Sequence, residues 1–179
     1  SLEETVEKAL KDSKDNIKRL KERVDRVLEE SRRTIEELRD RARRVREEVK
    51  KRLDELRRRG LDEDELKKVE DRVDKVVRDV EKILEELIRR SEEVVREIRK
   101  LLKDVEEFSK EVVSRLRRVD KDAVKKLIDD VRKINKELND TVEKLARDVE
   151  EINKEVARRV EKLVRELEKI DEDVTRREK

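Results

Sequence analysis

Residues 17–56 read IKRLKERVDRVLEESRRTIEELRDRARRVREEVKKRLDEL, and the spacing of their apolar side chains decides the fold. Ile17, Leu20, Val24 and Val27 continue through Ser31, Ile35, Leu38, Ala42, Val45, Val49, Leu53 and Leu56. Carried back through Ser13, Ala9 and Val6 to Leu2, the stripe advances in steps of 4, 3, 4, 4 and 3, so that five steps span 18 residues. The resulting period of about 3.6 is that of an unsupercoiled α-helix, whereas a heptad period of about 3.5 would impose a left-handed supercoil. A long, straight amphipathic helix is the expectation.

Two interruptions divide the 179 residues into three nearly equal segments: Arg59-Gly60-Leu61-Asp62 and the weaker Arg118-Val119-Asp120-Lys121. Gly60 suits the left-handed position after a helix, while Ser1, Asp62 and Asp120 suit N-caps. The 18-residue repeat persists through Leu66, Leu84 and Leu102 in the second segment. It continues through Val124, Val142 and Val160, with Ile134, Ile152 and Ile170, in the third. Helices are expected over about 2–59, 63–118 and 121–177, each near 85 Å at about 1.5 Å per residue. Connections this short force consecutive helices to fold back. The fold class is therefore all-α: a straight antiparallel up-down-up three-helix bundle with an 18-residue core repeat, forming one domain over 1–179.

Composition excludes most chemistry. Charged residues make up 59% and aromatics 1%, and His, Cys, Pro, Met, Trp and Tyr are absent; Gly60 is the single glycine. Ser-His or Cys-His catalysis, the usual zinc sites and disulfides all lack their residues. A glycine-rich phosphate loop does as well. Lys and Arg number 54 against 52 Asp and Glu, so the net charge of +2 gives no global field for nucleic acid or an anionic membrane. No signal peptide is expected from Ser1-Leu2-Glu3-Glu4 and no membrane-length apolar run occurs, so a soluble chain is expected, cytoplasmic on recombinant expression and otherwise of unknown location.

The informative positions are polar residues on or beside the inward stripe. Ser13, Asn16, Ser31 and Thr34 lie in the first segment, Ser91 and Ser109 in the second, Asn135 and Asn153 in the third. Antiparallel partners in the first two segments should have numbers summing to about 122, and the third segment should run about 118 ahead of the first, given the short connections. Ser13 then meets Ser109 with Asn16 beside Asn135, and Ser31 meets Ser91 with Thr34 beside Asn153. One repeat further on, Val49 and Val73 are apolar, while Arg52 and Asp171 can form an ion pair. An unpaired buried hydroxyl or amide costs about 1 to 3 kcal/mol, so residues gathered at one height are expected to satisfy one another and to set register. The alternative is that each bonds water or its own i−4 carbonyl.

In its repeat, near-equal helices, minimal connections, Glu/Lys/Arg surfaces and recurring Ser/Asn layers, the whole chain resembles de novo designed helical bundles with buried hydrogen-bond networks. Natural spectrin-like repeats are similar only in outline, being shorter per helix, supercoiled and typically built around a Trp that this chain lacks. The resemblance implies a thermostable structural scaffold with no enzymatic activity: no catalytic, cofactor-binding or metal-binding residues, and no cofactor. Since no helix carries a second apolar face, a monomer needing no partner is expected, and the near-zero net charge gives no reason to expect nucleic acid or a membrane. The wide apolar stripe of the second segment, including Val76, Ile83 and Leu101, leaves a homo-oligomeric or switchable assembly as the alternative.

Other signals carry less. Carboxylate pairs such as Glu85/Glu86 and Glu106/Glu107 lie off the inward stripe. Residues 39–59 hold eleven basic and five acidic side chains, a stripe open to weak polyanion binding in a natural coiled-coil spacer. Asn139-Asp140-Thr141 matches the N-glycosylation pattern by coincidence, and Phe108 is read as a filler at the edge of the core.

Overall fold

A computed structural model describes residues 1–116 and 120–178. Helix α1 spans Leu2–Arg58, α2 Glu63–Arg115 and α3 Lys121–Glu178. The described residues contain no strand, and the chain is an all-α three-helix bundle. Helix α2 stops at Arg115, with Leu116 in a turn. The expected continuation to 118, and the connection through Arg118 and Val119, lie outside the described residues.

The helix ends follow from their capping chemistry. Gly60 adopts φ of 80°, its N–H reaches the Arg57 carbonyl at 3.0 Å, and the Leu61 N–H reaches the Leu56 carbonyl at 3.2 Å. This pair of bonds is the Schellman closure, which needs a residue without a Cβ penalty at its left-handed position. Asp62 Oδ1 accepts from the Asp64 N–H at 3.1 Å and Asp120 Oδ1 from the Ala123 N–H at 2.9 Å. Ser1 Oγ likewise accepts from the Glu4 N–H at 3.3 Å. Glu3, Glu4, Glu63 and Asp64 in first turns, and Arg57, Arg58 and Arg115 in last turns, complement the helix dipoles.

Packing divides the chain into two units: Ser1–Glu29 with Ser91–Glu150, and Glu30–Arg90 with Glu151–Lys179. Each takes a part of all three helices. The first unit buries Ile17, Leu20 and Val24 of α1 against Ile98 and Leu102 of α2 and Leu138 and Val142 of α3. Smaller clusters join Ala9 to Val124 and Ile128, and Val27 to Ala146 and Val149. In the second unit one core gathers Leu53 and Leu56 with Val80, Leu84 and Leu87 and with Val160, Val164 and Leu167.

Chain direction can be read from cross-helix pairs inside each unit. In the first, Ser13 meets Ser109 and Lys21 meets Glu106, so α1 and α2 run antiparallel, while Asn16 meets Asn135 and Arg23 meets Glu150, so α1 and α3 run parallel. The second repeats this with Arg39 to Glu81 and Arg57 to Glu70, then Thr34 to Asn153 and Arg52 to Asp171.

Burial obeys the 18-residue period closely. Leu66, Leu84 and Leu102 are all buried, as are Val124, Val142 and Val160, whereas Leu127, Leu145 and Leu163 are all intermediate. Val113 departs from the pattern, being 46% exposed where its repeat mates Val77 and Val95 are buried. It stands two residues before the end of α2.

Candidate functional site

Three polar contacts between α1 and α3 recur at 18-residue steps: Asn16 to Asn135, Thr34 to Asn153 and Arg52 to Asp171, each with a sequence separation of 119. One geometric position is thus filled by two amides, then by a hydroxyl and an amide, then by a guanidinium and a carboxylate. Each solution has its own chemistry.

In the first contact Asn135 turns its Nδ2 back to the Val131 carbonyl at 2.9 Å, which presents Oδ1 to α1. That oxygen accepts from Ser13 Oγ at 3.2 Å and from Asn16 Nδ2 at 3.5 Å. Ser13 Oγ also lies 3.3 Å from Ser109 Oγ, so one hydroxyl, 1% exposed, touches both other helices. Ser109 has one proton and two acceptors for it, the Val105 carbonyl at 3.0 Å and Ser13. Arg19 holds the outer side of this layer, donating through Nη2 to Asn16 Oδ1 at 2.7 Å.

The second contact is not a copy of the first. Thr34 spends its proton on the Glu30 carbonyl at 3.1 Å and offers only a lone pair, which accepts from Asn153 Nδ2 at 3.2 Å. The amide is therefore turned over relative to Asn135, and Asn153 Oδ1 is left buried without a partner. Ser31 and Ser91 are both buried, and Ser91 Oγ has no partner either. Among the four residues expected to share this layer, the structure joins Thr34 and Asn153.

In the third contact Arg52 Nη1 donates to Asp171 Oδ1 at 2.6 Å and to Thr175 Oγ1, while Thr175 donates to the Asp171 carbonyl at 2.7 Å. Val49 and Val73 fill the adjacent core. Burial raises the Asp171 carboxyl above its ordinary value; Arg52 opposes the shift, and the like charge of Glu48 adds to it. A carboxyl that holds its proton more tightly folded than unfolded makes the folded state lose ground as pH rises from the ordinary value of about 3.9 through the folded one. The stability difference between the parent chain and Asp171→Asn is therefore expected to shift against the parent as pH rises across that window. Guanidinium midpoints measured at several pH values read the slope, and the opposite sign would mean that Arg52 outweighs burial.

The basic stripe of α1 is largely answered from within. Arg39 and Arg43 meet Glu81, Arg46 and Lys50 meet Asp74, and Arg41 meets Glu168. Arg57 contacts Asp54, Glu63 and Glu70, and its guanidinium holds its proton more firmly than usual, chiefly through the hydrogen bond to Glu70. In the first unit Arg23 is raised in the same way, first by its hydrogen bond to Glu150. No group of carboxylates able to hold a metal ion occurs among the described residues, and no described helix is long and apolar enough to cross a membrane. Phe108 is half-buried.

Glu48, Thr175 and Arg19 belong to these contacts and are not distinguished by the stripe. Their signal is local: each lies one helical turn from a contact residue, at Arg52, Asp171 and Asn16 respectively. No protein-family model matches this chain, and no curated protein or solved structure matches it.

Proposed function

We propose that the chain is a structural scaffold without enzymatic activity, of the designed-bundle type and thermostable, in which buried polar contacts set helix register. The observation that carries this reading is the Ser13 hydroxyl. It sits within hydrogen-bond distance of Ser109 and Asn135, so that a slip of either neighbouring helix would strand a buried polar group against apolar ones.

The apolar stripe of α2 supports a monomer. Val76 and Val77 are buried in the core of the second unit, with Ile83 packed against it, and Leu101 packs against the core of the first. Carboxylates on α2 and α3 that occupy Arg39, Arg41, Arg46 and Arg57 weigh against a polyanion binder. The exposed Val113 favours a second reading, a subunit of a homo-oligomer.

Light scattering separates the two. The expected mass is 21.7 kDa, one copy of the chain, at micromolar concentration. A dimer or trimer mass that survives dilution would replace the monomeric scaffold with the oligomeric one.

A further inference from the structure

The seam between α1 and α2 in the first unit opens into a groove of about 420 Å³ over Ser13 and Ser109. Those two hydroxyls meet at 3.3 Å, at positions where the third repeat has Val49 and Val73, and the shorter side chains leave the seam recessed. Leu10 and Val113 line one end of the groove and Ile17 the other. Leu10 is half-buried and Val113 is 46% exposed, the one large apolar side chain on a described helix to be so open. On both helices the lining recurs at i, i+3, i+4 and i+7, which gives a groove two turns long, about 10 Å at 1.5 Å per residue.

The rims carry like charge. Lys14 from α1 and Lys110 from α2 flank the middle of the groove, each next in sequence to a serine of its floor. Among the described residues neither lysine has a carboxylate within ion-pairing distance, whereas Lys21 and Glu106, at the Ile17 end, hold each other at 2.6 Å. The groove thus offers apolar surface to its occupant and an unanswered cation on either side.

We infer that this groove docks an amphipathic helix of another protein, its apolar stripe lying over Leu10, Ile17 and Val113 and its flanking carboxylates meeting Lys14 and Lys110. A helix presents apolar anchors at i, i+3 and i+4, and two turns of groove take two or three of them. Acids on both flanks of that stripe complement lysines on both rims, which steers the encounter and fixes the seating. A second copy of this chain fits less well, because two grooves paired face to face about their middles set lysine against lysine. A polyanion would answer the lysines and leave the apolar end in water. The docking role goes beyond the scaffold role and holds whether or not the polar contacts set register.

The probe is a labelled synthetic helix of leucine, alanine and glutamate, with leucines at i, i+4 and i+7 and glutamates on both sides of them. Fluorescence anisotropy at physiological salt reads its affinity for the full chain, and NMR shifts of the backbone amides map the contact. Saturable binding with shifts confined to residues 10–17 and 106–113 is expected. Affinity should fall by about tenfold or more when lysines replace the glutamates of the probe, and again when serines replace its leucines. Val113→Ser, and Lys14→Glu with Lys110→Glu, change exposed positions and should each weaken binding by a similar factor while circular dichroism stays unchanged. Equal binding of the lysine probe, or shifts elsewhere on the chain, would overturn the assignment, as would no saturable binding at about 1 mM probe. Undiminished binding of the serine probe would make the groove a polyanion site instead, and a dimer mass without probe that Val113→Ser abolishes would give it to a second copy.

Discussion

Leu84→Ala is expected to lower the unfolding free energy by about 2 to 5 kcal/mol, because the side chain is fully buried and its removal leaves a cavity that long, mutually packed helices cannot close. Its repeat mate Leu102, 1% exposed in the core of the first unit, should lose a similar amount when truncated. The two positions are 18 residues apart in sequence and belong to separate cores with no shared neighbours. Their effects should therefore add within about 0.5 kcal/mol in the double variant. Leu61→Ala, at a position 46% exposed in the connection, should change stability by no more than about 0.5 kcal/mol. Guanidinium unfolding followed by circular dichroism reads all four. If Leu84 and Leu102 gave sharply different losses, an equal spacing in sequence would not mean an equal environment, and the repeat would describe only a pattern of letters.

The repeat was legible because burial in a helix and helix geometry share one period. A side chain returns to the same side of the helix after 18 residues, so Leu66, Leu84 and Leu102 needed no knowledge of their neighbours to be assigned inward. Val113 was not legible: the stripe alone places it with Val77 and Val95, yet it is 46% exposed near the end of α2. The heights of the polar contacts were close to readable from connection length: a lead of about 118 residues was expected and 119 is found.

Donor and acceptor assignment lay beyond that arithmetic. Asn and Thr are both small and polar in a stripe, yet replacing Asn16 by its repeat mate Thr34 reverses which end of the opposing amide faces α1. A hydroxyl has one proton to give, and in a helix the i−4 carbonyl competes for it. Asn135 and Asn153 therefore occupy the same repeat position with opposite orientations, the first turning its oxygen to α1 and the second its amino group.

This difference in hydrogen bonding gives the same substitution opposite signs at Ser13 and Ser91. The two hydroxyls are similarly inaccessible, at 1% and 3% exposure, but Ser13 bonds Asn135 and lies against Ser109, whereas Ser91 has no partner. Ser13→Ala is expected to lower stability by about 1 to 3 kcal/mol, since Asn135 Oδ1 loses its better donor and the desolvation of that group is no longer offset. Ser91→Ala removes a hydroxyl that was desolvated without return and should raise stability. Asn135→Leu should cost about as much as Ser13→Ala, by leaving the Ser13 proton and Asn16 Nδ2 without their acceptor. Replacing Ser13, Asn16, Ser109 and Asn135 together should cost far less than the single changes added, because no member of the set remains to be orphaned. Asn153→Leu should be milder than Asn135→Leu, for Thr34 keeps its bond to Glu30 and the unpaired Oδ1 disappears with the amide. Denaturant midpoints for these variants decide the matter. Independent, additive effects of like sign at all of these positions would mean that the polar residues act separately, and the claim that they set register would fall with the coupling it requires.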